Sequence, residues 1–240
     1  MNQYYRVHAV IDLDAICHNI REVKRVVGEG VKVMPVIKAD GYGHGAVPIA
    51  KELNKIGVDA FAVAILEEGI TLRNNGIRQP ILILGYTSEY QYSSLIQYEI
   101  EPTVFCYEMA ESLSKIAQAL GKDAKIHIKL DTGMNRIGFK PTKESVDIIE
   151  KIAKLSRFKE SLHISHVQTR RIKQKLMSRN ENMISLLRGL RKEISIFQSN
   201  TYQTVHRSLI WMDLEKIWYV QESLLMDYIH QKKFQKMYWI

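Results

Sequence analysis

Val31-Lys32-Val33-Met34-Pro35-Val36-Ile37-Lys38-Ala39-Asp40-Gly41-Tyr42-Gly43-His44-Gly45 begins as an apolar run and ends in three closely spaced glycines. The run Val31–Ile37 reads as a buried strand, because β-branched residues without polar alternation need cover on both faces. The glycine stretch reads as a turn that opens a helix near residues 46–56. Ala60–Ala64 then reads as a second buried strand. Strand, helix and strand in this order make one parallel βαβ unit.

The same pattern extends in both directions. Upstream, Val7–Leu13 is strand-like, and Asp14 is placed to cap a helix running to about Val27 with Ile16, Ile20, Val23 and Val27 on one face. Downstream, strand-like runs at Ile81–Leu84, Glu101–Phe105, Lys125–Leu130 and Ser161–Ser165 alternate with helical stretches near 67–75, 88–97, 108–120 and 143–155. The predicted class is α/β. About six barrel strands are recognisable, which favours a (β/α)8 TIM-type barrel, here incomplete, over an open sheet. In such a barrel the chemistry gathers where strands end. Lys38, Leu84, Arg136 and His166 each follow a predicted strand.

Lys38 is the residue with the clearest chemical meaning. A lysine at the mouth of an apolar strand loses hydration, which favours the neutral, nucleophilic amine. Such an amine suits a Schiff base with an aldehyde cofactor, and the glycines let backbone approach a bulky ligand. A single strand-end lysine is more often a solvated one; the whole run, not the residue, carries the reading. The same caution applies elsewhere. Arg136 is flanked by Gly133 and Gly138 just after a strand, which favours function over an ordinary surface arginine. Alternation alone leaves Lys129 either inside or outside a barrel. His44 reads as a cap for the following helix, and His166 alone as a strand-end histidine.

Composition narrows the classes. A chain that is 46% hydrophobic is not globally disordered. No apolar stretch approaches the roughly 18 residues of a membrane span. Met1–Arg6 lacks an apolar signal core, which points to the cytoplasm. Cys17 and Cys106 have neither metal nor redox spacing and read as reduced buried thiols. The net charge of +8 is uneven: Val167–Ile240 carries +7 of it. That segment also holds all three tryptophans, none of the five prolines and one of the 13 glycines, so it lacks the punctuation that loops need.

The run Pro35–Gly45 resembles the cofactor-attachment motif of bacterial alanine racemases. Lys129-Leu130-Asp131-Thr132-Gly133-Met134-Asn135-Arg136-Ile137-Gly138-Phe139 resembles that family's substrate-arginine motif, and Ala9–Ile20 its entry segment. The resemblance covers about the first 166 residues. It implies that pyridoxal 5'-phosphate is held by Lys38, which also exchanges the substrate proton on the D-face. It implies that Tyr42 contacts the cofactor phosphate and that Arg136 lies near the substrate carboxylate. Lys129 would be carbamylated to hold that arginine, and His166 would join a cofactor-side hydrogen-bond chain. The implied activity is an isomerase interconverting L- and D-alanine for bacterial cell-wall precursors. The family is homodimeric, and a tyrosine from the partner's C-terminal domain serves the second face. No tyrosine of this chain matches that motif, and the C-terminal β-domain is expected to be absent. Weak activity and poor stability are therefore expected of this chain alone.

The expected division is a barrel part, 1–166, and an atypical tail, 167–240. In the tail only Ile194–Phe197 reads as a buried strand, with helices suggested near 180–193 and 208–236. Joining the third base of each codon to the next two forces Val at Trp218–Tyr219, Gly at Met226–Asp227 and Leu at Asp227–Tyr228. With permitted codons, segments of the shifted frame spell peptides that resemble alanine racemase sequence, in order. Part of the tail is thus expected to be out of frame, which accounts for its basic composition without nucleic-acid binding. Three alternatives stay open: a racemase of another small amino acid such as serine, a non-catalytic pyridoxal-phosphate-binding barrel, and a basic interaction protein that uses the tail.

Overall fold

The computed structural model describes residues 9–29, 32–131, 135–140, 142–158, 162–167, 197–198 and 218–221. Helix α1 (Leu13–Val27) starts at Asp12, whose carboxylate accepts the Ala15 N–H at 2.9 Å. The cap is therefore two residues earlier than Asp14. Asp14 instead lies in the first turn, where a negative charge complements the helix dipole. Residues 9–12 form no strand, because the apolar Ile11 and Leu13 pack onto the core from the helix entrance.

Strands β1 (Lys32–Pro35), β2 (Phe61–Val63), β3 (Ile81–Ile83), β4 (Glu101–Val104), β5 (Ile126–Asp131) and β6 (Leu162–Val167) fall where the apolar runs place them. Between them come a single turn α2 (Lys38–Tyr42), then α3 (Ala46–Lys55), α4 (Leu66–Asn74), α5 (Tyr92–Gln97), α6 (Tyr107–Ala119) and α7 (Lys143–Ala153). Every strand pairing is parallel. Two short strands come from beyond His166: β7 (Phe197–Gln198) lies beside β6, and β8 (Trp218–Gln221) lies beside β1. The bridge Val36–Ala62 joins β1 to β2. The strands thus run β8-β1-β2-β3-β4-β5-β6-β7, the parallel order of a (β/α)8-type barrel.

A barrel of only the six strands recognised in sequence would leave two edges unpaired. The outer edges of β1 and β6 are not left bare, since β8 and β7 supply backbone partners. Within the helix suggested over 208–236, Trp218–Gln221 forms a strand instead, where the β-prone Trp-Tyr-Val triplet finds an open edge. The rest of the tail lies outside the described residues. Among those described, no helix is long and apolar enough to cross a membrane.

Alternation along the strands sorts the barrel into two layers. Val33, Phe61, Val63, Ile81, Ile83, Val104, Ile126, Ile128 and Leu130 face the helices and join one large apolar cluster with residues such as Ile16, Leu53, Leu72 and Leu113. The opposite row forms a separate small cluster, Met34, Val36, Ala60, Ala62 and Leu82, with Tyr42 and Leu84 against it. On β4 and β5 that inner row turns polar: Glu101, Thr103, His127 and Lys129 are all buried. His127 Nε2 lies 2.8 Å from Glu101 Oε2, and the Thr103 hydroxyl donates to the Ile83 carbonyl. A buried polar row of this kind is tolerated only because its members hydrogen-bond.

The N-terminal ends of the strands are tied by Arg73 from the last turn of α4. Its guanidinium donates to the carbonyls of Ile77 (3.0 Å), Gln79 (2.6 Å), Tyr98 (2.9 Å) and Glu99 (2.8 Å). One planar fork therefore satisfies four loop carbonyls ahead of β3 and β4.

Candidate functional site at the barrel mouth

Lys38 continues the inner row set by Met34 and Val36 at two-residue spacing. The β1–β2 ladder ends just before it, with Ile37 N–H donating to the Ala62 carbonyl at 2.9 Å. The side chain is half-buried, and its Nζ lies 5.7 Å from the centre of the Tyr42 ring. That separation is within cation–π range.

The backbone just after Lys38 is unusual. Ala39, Asp40, Gly41 and Tyr42 have φ of 50°, 51°, 62° and 56°, a continuous left-handed turn. Each non-glycine residue in this region costs roughly 1–2 kcal/mol, so the surroundings must hold the turn in place. They do so with several hydrogen bonds. Gly41 N–H donates to the Ile37 carbonyl (2.9 Å), and Gly43 N–H to the Ala39 carbonyl (3.0 Å). The Asp40 carboxylate accepts the Ala46 N–H at 2.8 Å and so caps α3. At Gly41 an added Cβ would lie 2.9 Å from Ile49 Cδ1 and 3.3 Å from Ala46 N, so a side chain there would push α3 away. This glycine serves the internal packing of the turn rather than ligand approach.

His44 does not cap α3, contrary to its sequence reading. Its Nδ1 sits 3.1 Å from the Gly41 carbonyl and 3.0 Å from the Tyr42 carbonyl. Two acceptors on one nitrogen require that nitrogen to carry the proton, so the imidazole braces the left-handed turn as a donor.

The second group of residues lies at the end of β5. Lys129 shares its side of the strand with His127, while Ile126, Ile128 and Leu130 face the helices; it therefore points into the barrel. It is buried, and its Nζ donates to the Leu130 carbonyl at 2.8 Å. Burial, reinforced by the positive charge of Arg136 and opposed by Asp131, brings the Lys129 ammonium down to about 8. Beyond Asp131 the chain doubles back. Phe139 N–H donates to the Lys129 carbonyl (2.8 Å), and Asp131 N–H donates to the Phe139 carbonyl (2.9 Å). Gly138, at φ 133°, makes this return possible: an added Cβ would lie 2.5 Å from Asp131 N and 2.7 Å from the Leu130 carbonyl carbon. Arg136 is exposed on the returning segment.

His166 lies within β6, one residue before its end, and not after the strand as the sequence suggested; its backbone register is opposite Leu130. Its side chain lies outside the described residues. Cys17 is buried as expected, whereas Cys106 is half-buried; desolvation pushes both thiols up, which disfavours reactive thiolates.

A family model described as alanine racemase, N-terminal domain, matches residues 11–209. The chain belongs to the alanine racemase N-terminal domain family. It is 44% identical over 184 residues to an alanine racemase of Caldanaerobacter subterraneus subsp. tengcongensis, covering 76% of this chain and 47% of that protein. It is 47% identical over 163 residues to an alanine racemase of Clostridium acetobutylicum, covering 68% and 42%. Among solved structures, alanine racemase from Clostridium difficile 630, in complex with cycloserine, matches with a TM-score of 0.78 and 36% identity over 90% of this chain and 60% of that one. The Bacillus anthracis alanine racemase with bound L-Ala-P matches with a TM-score of 0.74 and 25% identity, covering 87% and 55%. The chain spans about half the length of the curated relatives it matches.

In this racemase-family barrel the structure brings Lys38 and Tyr42 together in one turn, and Lys129 and Arg136 together at the end of β5. It also shows a residue that the sequence did not single out. Glu68, in the first turn of α4, accepts the Ala39 N–H at 2.6 Å and the Ala64 N–H at 2.7 Å. Its bond to Ala64 is local, four residues back, but its bond to Ala39 spans 29 residues and leaves no mark in the local sequence.

Proposed function

We propose that this barrel holds pyridoxal 5'-phosphate on Lys38 and supplies one face of a site that interconverts L- and D-alanine. The observation that carries the reading is the Lys38 amine itself, set on the inner row at the barrel mouth and followed by a braced left-handed turn. The donor set fits an aldehyde cofactor with a phosphate and an amino-acid carboxylate. It offers a primary amine (Lys38), a phenol in the same turn (Tyr42) and a guanidinium (Arg136). His166 is assigned to the hydrogen-bond chain beside the cofactor. When bound, pyridoxal phosphate draws electrons away from the substrate α-carbon and makes its C–H acidic.

The chain's own residues do the rest. Lys38 Nζ takes and returns the α-proton on the D-face, as a general base close to the carbon must. Arg136 meets the carboxylate. Lys129 is the partner that steadies Arg136, and its chemistry explains how. A lysine titrating near 8 has a neutral fraction of roughly a tenth at pH 7. That neutral amine adds to carbon dioxide, forming an N–C bond and releasing one proton, and the product is an anionic carbamate. Repulsion between Lys129 and Arg136 then becomes attraction. A second acid, for the opposite face, is assigned to a partner subunit in a homodimer.

The relatives' names as alanine racemases support alanine as the substrate. We also read residues 1–166 as the barrel part and 167–240 as a tail that adds β7 and β8 to it but is translated partly out of frame, which the gene's nucleotides at codons 198–230 test. The functional test is exchange of the α-hydrogen in deuterium oxide. With pyridoxal phosphate bound, the chain should incorporate deuterium into D-alanine without much inversion, and Lys38→Ala should reduce incorporation to the level of free cofactor. Equal exchange by both proteins contradicts the reading.

A further inference from the structure

We infer that Glu68 is the positioning residue that aims Lys38, by acting as the missing rung between β1 and β2 at the barrel mouth. This rests on the reading of Lys38 as the cofactor lysine. Ordinary strand pairing stops at Val36–Ala62 and the Ile37 N–H bond. The next residues do not continue it, because the chain leaves the extended conformation and Ala39 turns left-handed. Ala39 is exposed, so water could take its N–H; a carboxylate acceptor instead fixes the direction in which that N–H points. The Glu68 carboxylate meets both strand ends. Oε1 accepts from Ala39, the residue after Lys38, at 2.6 Å; Oε2 accepts from Ala64, just past β2, at 2.7 Å.

The carboxylate also reaches back to Ile65 N–H at 3.4 Å, the returning half of a capping box at the start of α4. Glu68 thus joins the turn behind Lys38 to β2 and to a helix that packs on the barrel. Both distances are those of charge-assisted bonds. Asp40 and His44 brace the far side of the same turn, but each bonds only within residues 40–46. Among the described residues, Glu68 is the side chain that ties Ala39 to a neighbouring strand. The direction of the Lys38 Cα–Cβ bond therefore depends on it, and a misplaced amine reacts slowly even when the protein stays folded.

The test is timed borohydride trapping of pyridoxal phosphate on the full chain, with Lys38 modification read by peptide mass. Arg73→Lys serves as the control, since it loosens the opposite end of the barrel. Glu68→Ala should slow trapping at Lys38 by about tenfold relative to Arg73→Lys. The loss should fall on the limiting rate, with the saturating cofactor concentration unchanged. Glu68→Gln should be slowed similarly, because an amide offers one acceptor and turns a donor towards the second N–H. Equal limiting rates for the Glu68 variants and the control overturn the inference. Should the Glu68 variants fail to fold, amide exchange in the unsubstituted chain decides: a protected Ala39 N–H supports the inference, and exchange at the rate of an open loop overturns it. Absence of Lys38 labelling in the unsubstituted chain overturns the cofactor reading itself, a result distinct from unequal rates.

Discussion

Phe139 returns to pair with Leu130, exchanging hydrogen bonds of 2.8 and 2.9 Å with the flanking Lys129 and Asp131. This single doubling-back places the exposed Arg136 over the end of the strand from which Lys129 points inward. The positive charge of Arg136 then adds to burial in disfavouring the charged form of Lys129. The arrangement depends on close backbone approach, on burial and on like-charge repulsion.

Gly138→Ala should break the return. The new Cβ would overlap the backbone of Leu130 and Asp131, and φ near 133° is itself strained for alanine. We expect a loss of about 2–4 kcal/mol, measured by urea unfolding. Weaker binding of carboxylate substrates should accompany it as Arg136 loses its support.

With carbon dioxide excluded, so that its amine is free, Lys129 should leave a signature in the pH dependence of stability. Its folded value, about 8, lies below the ordinary 10.5, so the unfolded chain binds the proton more tightly. Stability must therefore rise with pH between about 8 and 10.5, as the burial penalty present at lower pH is relieved. The full difference is on the order of 3 kcal/mol. Lys129→Met should abolish that rise and be more stable than the parent near pH 7. A parent and variant with parallel profiles across this window would contradict the assignment.

Arg73→Ala should destabilise the barrel without touching the site. Four carbonyls lose their donor at once, and water replaces it only partly. A loss of about 2–4 kcal/mol is expected, read as a lower Tm. Arg73→Lys should recover little, since an ammonium cannot reach four acceptors in a plane. Trapping at Lys38 well below the Tm should be unchanged.

Much of the architecture was legible because burial leaves a periodic trace. The short apolar runs around Phe61–Val63 and Ile81–Ile83, set between helical stretches, read as buried strands, and the helix faces of α1 and α6 follow the 3.6-residue spacing. Lys38 stood out because a strand and a glycine turn bracket it. What escaped depends on contacts between distant segments. Alternation could not orient Lys129 until Ile128 and Leu130 were seen to face the helices. Asp12 and Asp14 are equivalent as caps in sequence, and only the Ala15 hydrogen bond separates them. Glu68 works 29 residues from Ala39, where no local pattern reaches. Strand β8 was hidden because Trp218–Gln221 has no punctuation around it; the open edge of β1 makes it a strand.

The function proposed for this barrel stands or falls with one amine at its mouth, which must hold the cofactor. Incubating the folded chain with pyridoxal phosphate, reducing with borohydride and mapping every lysine by peptide mass tests it directly. Lys38 should carry the modification far ahead of the other lysines, and Lys38→Ala should lose the absorbance of the bound coenzyme. Folded protein in which Lys38 stays unmodified, or is modified no faster than surface lysines such as Lys51 and Lys115, would contradict it.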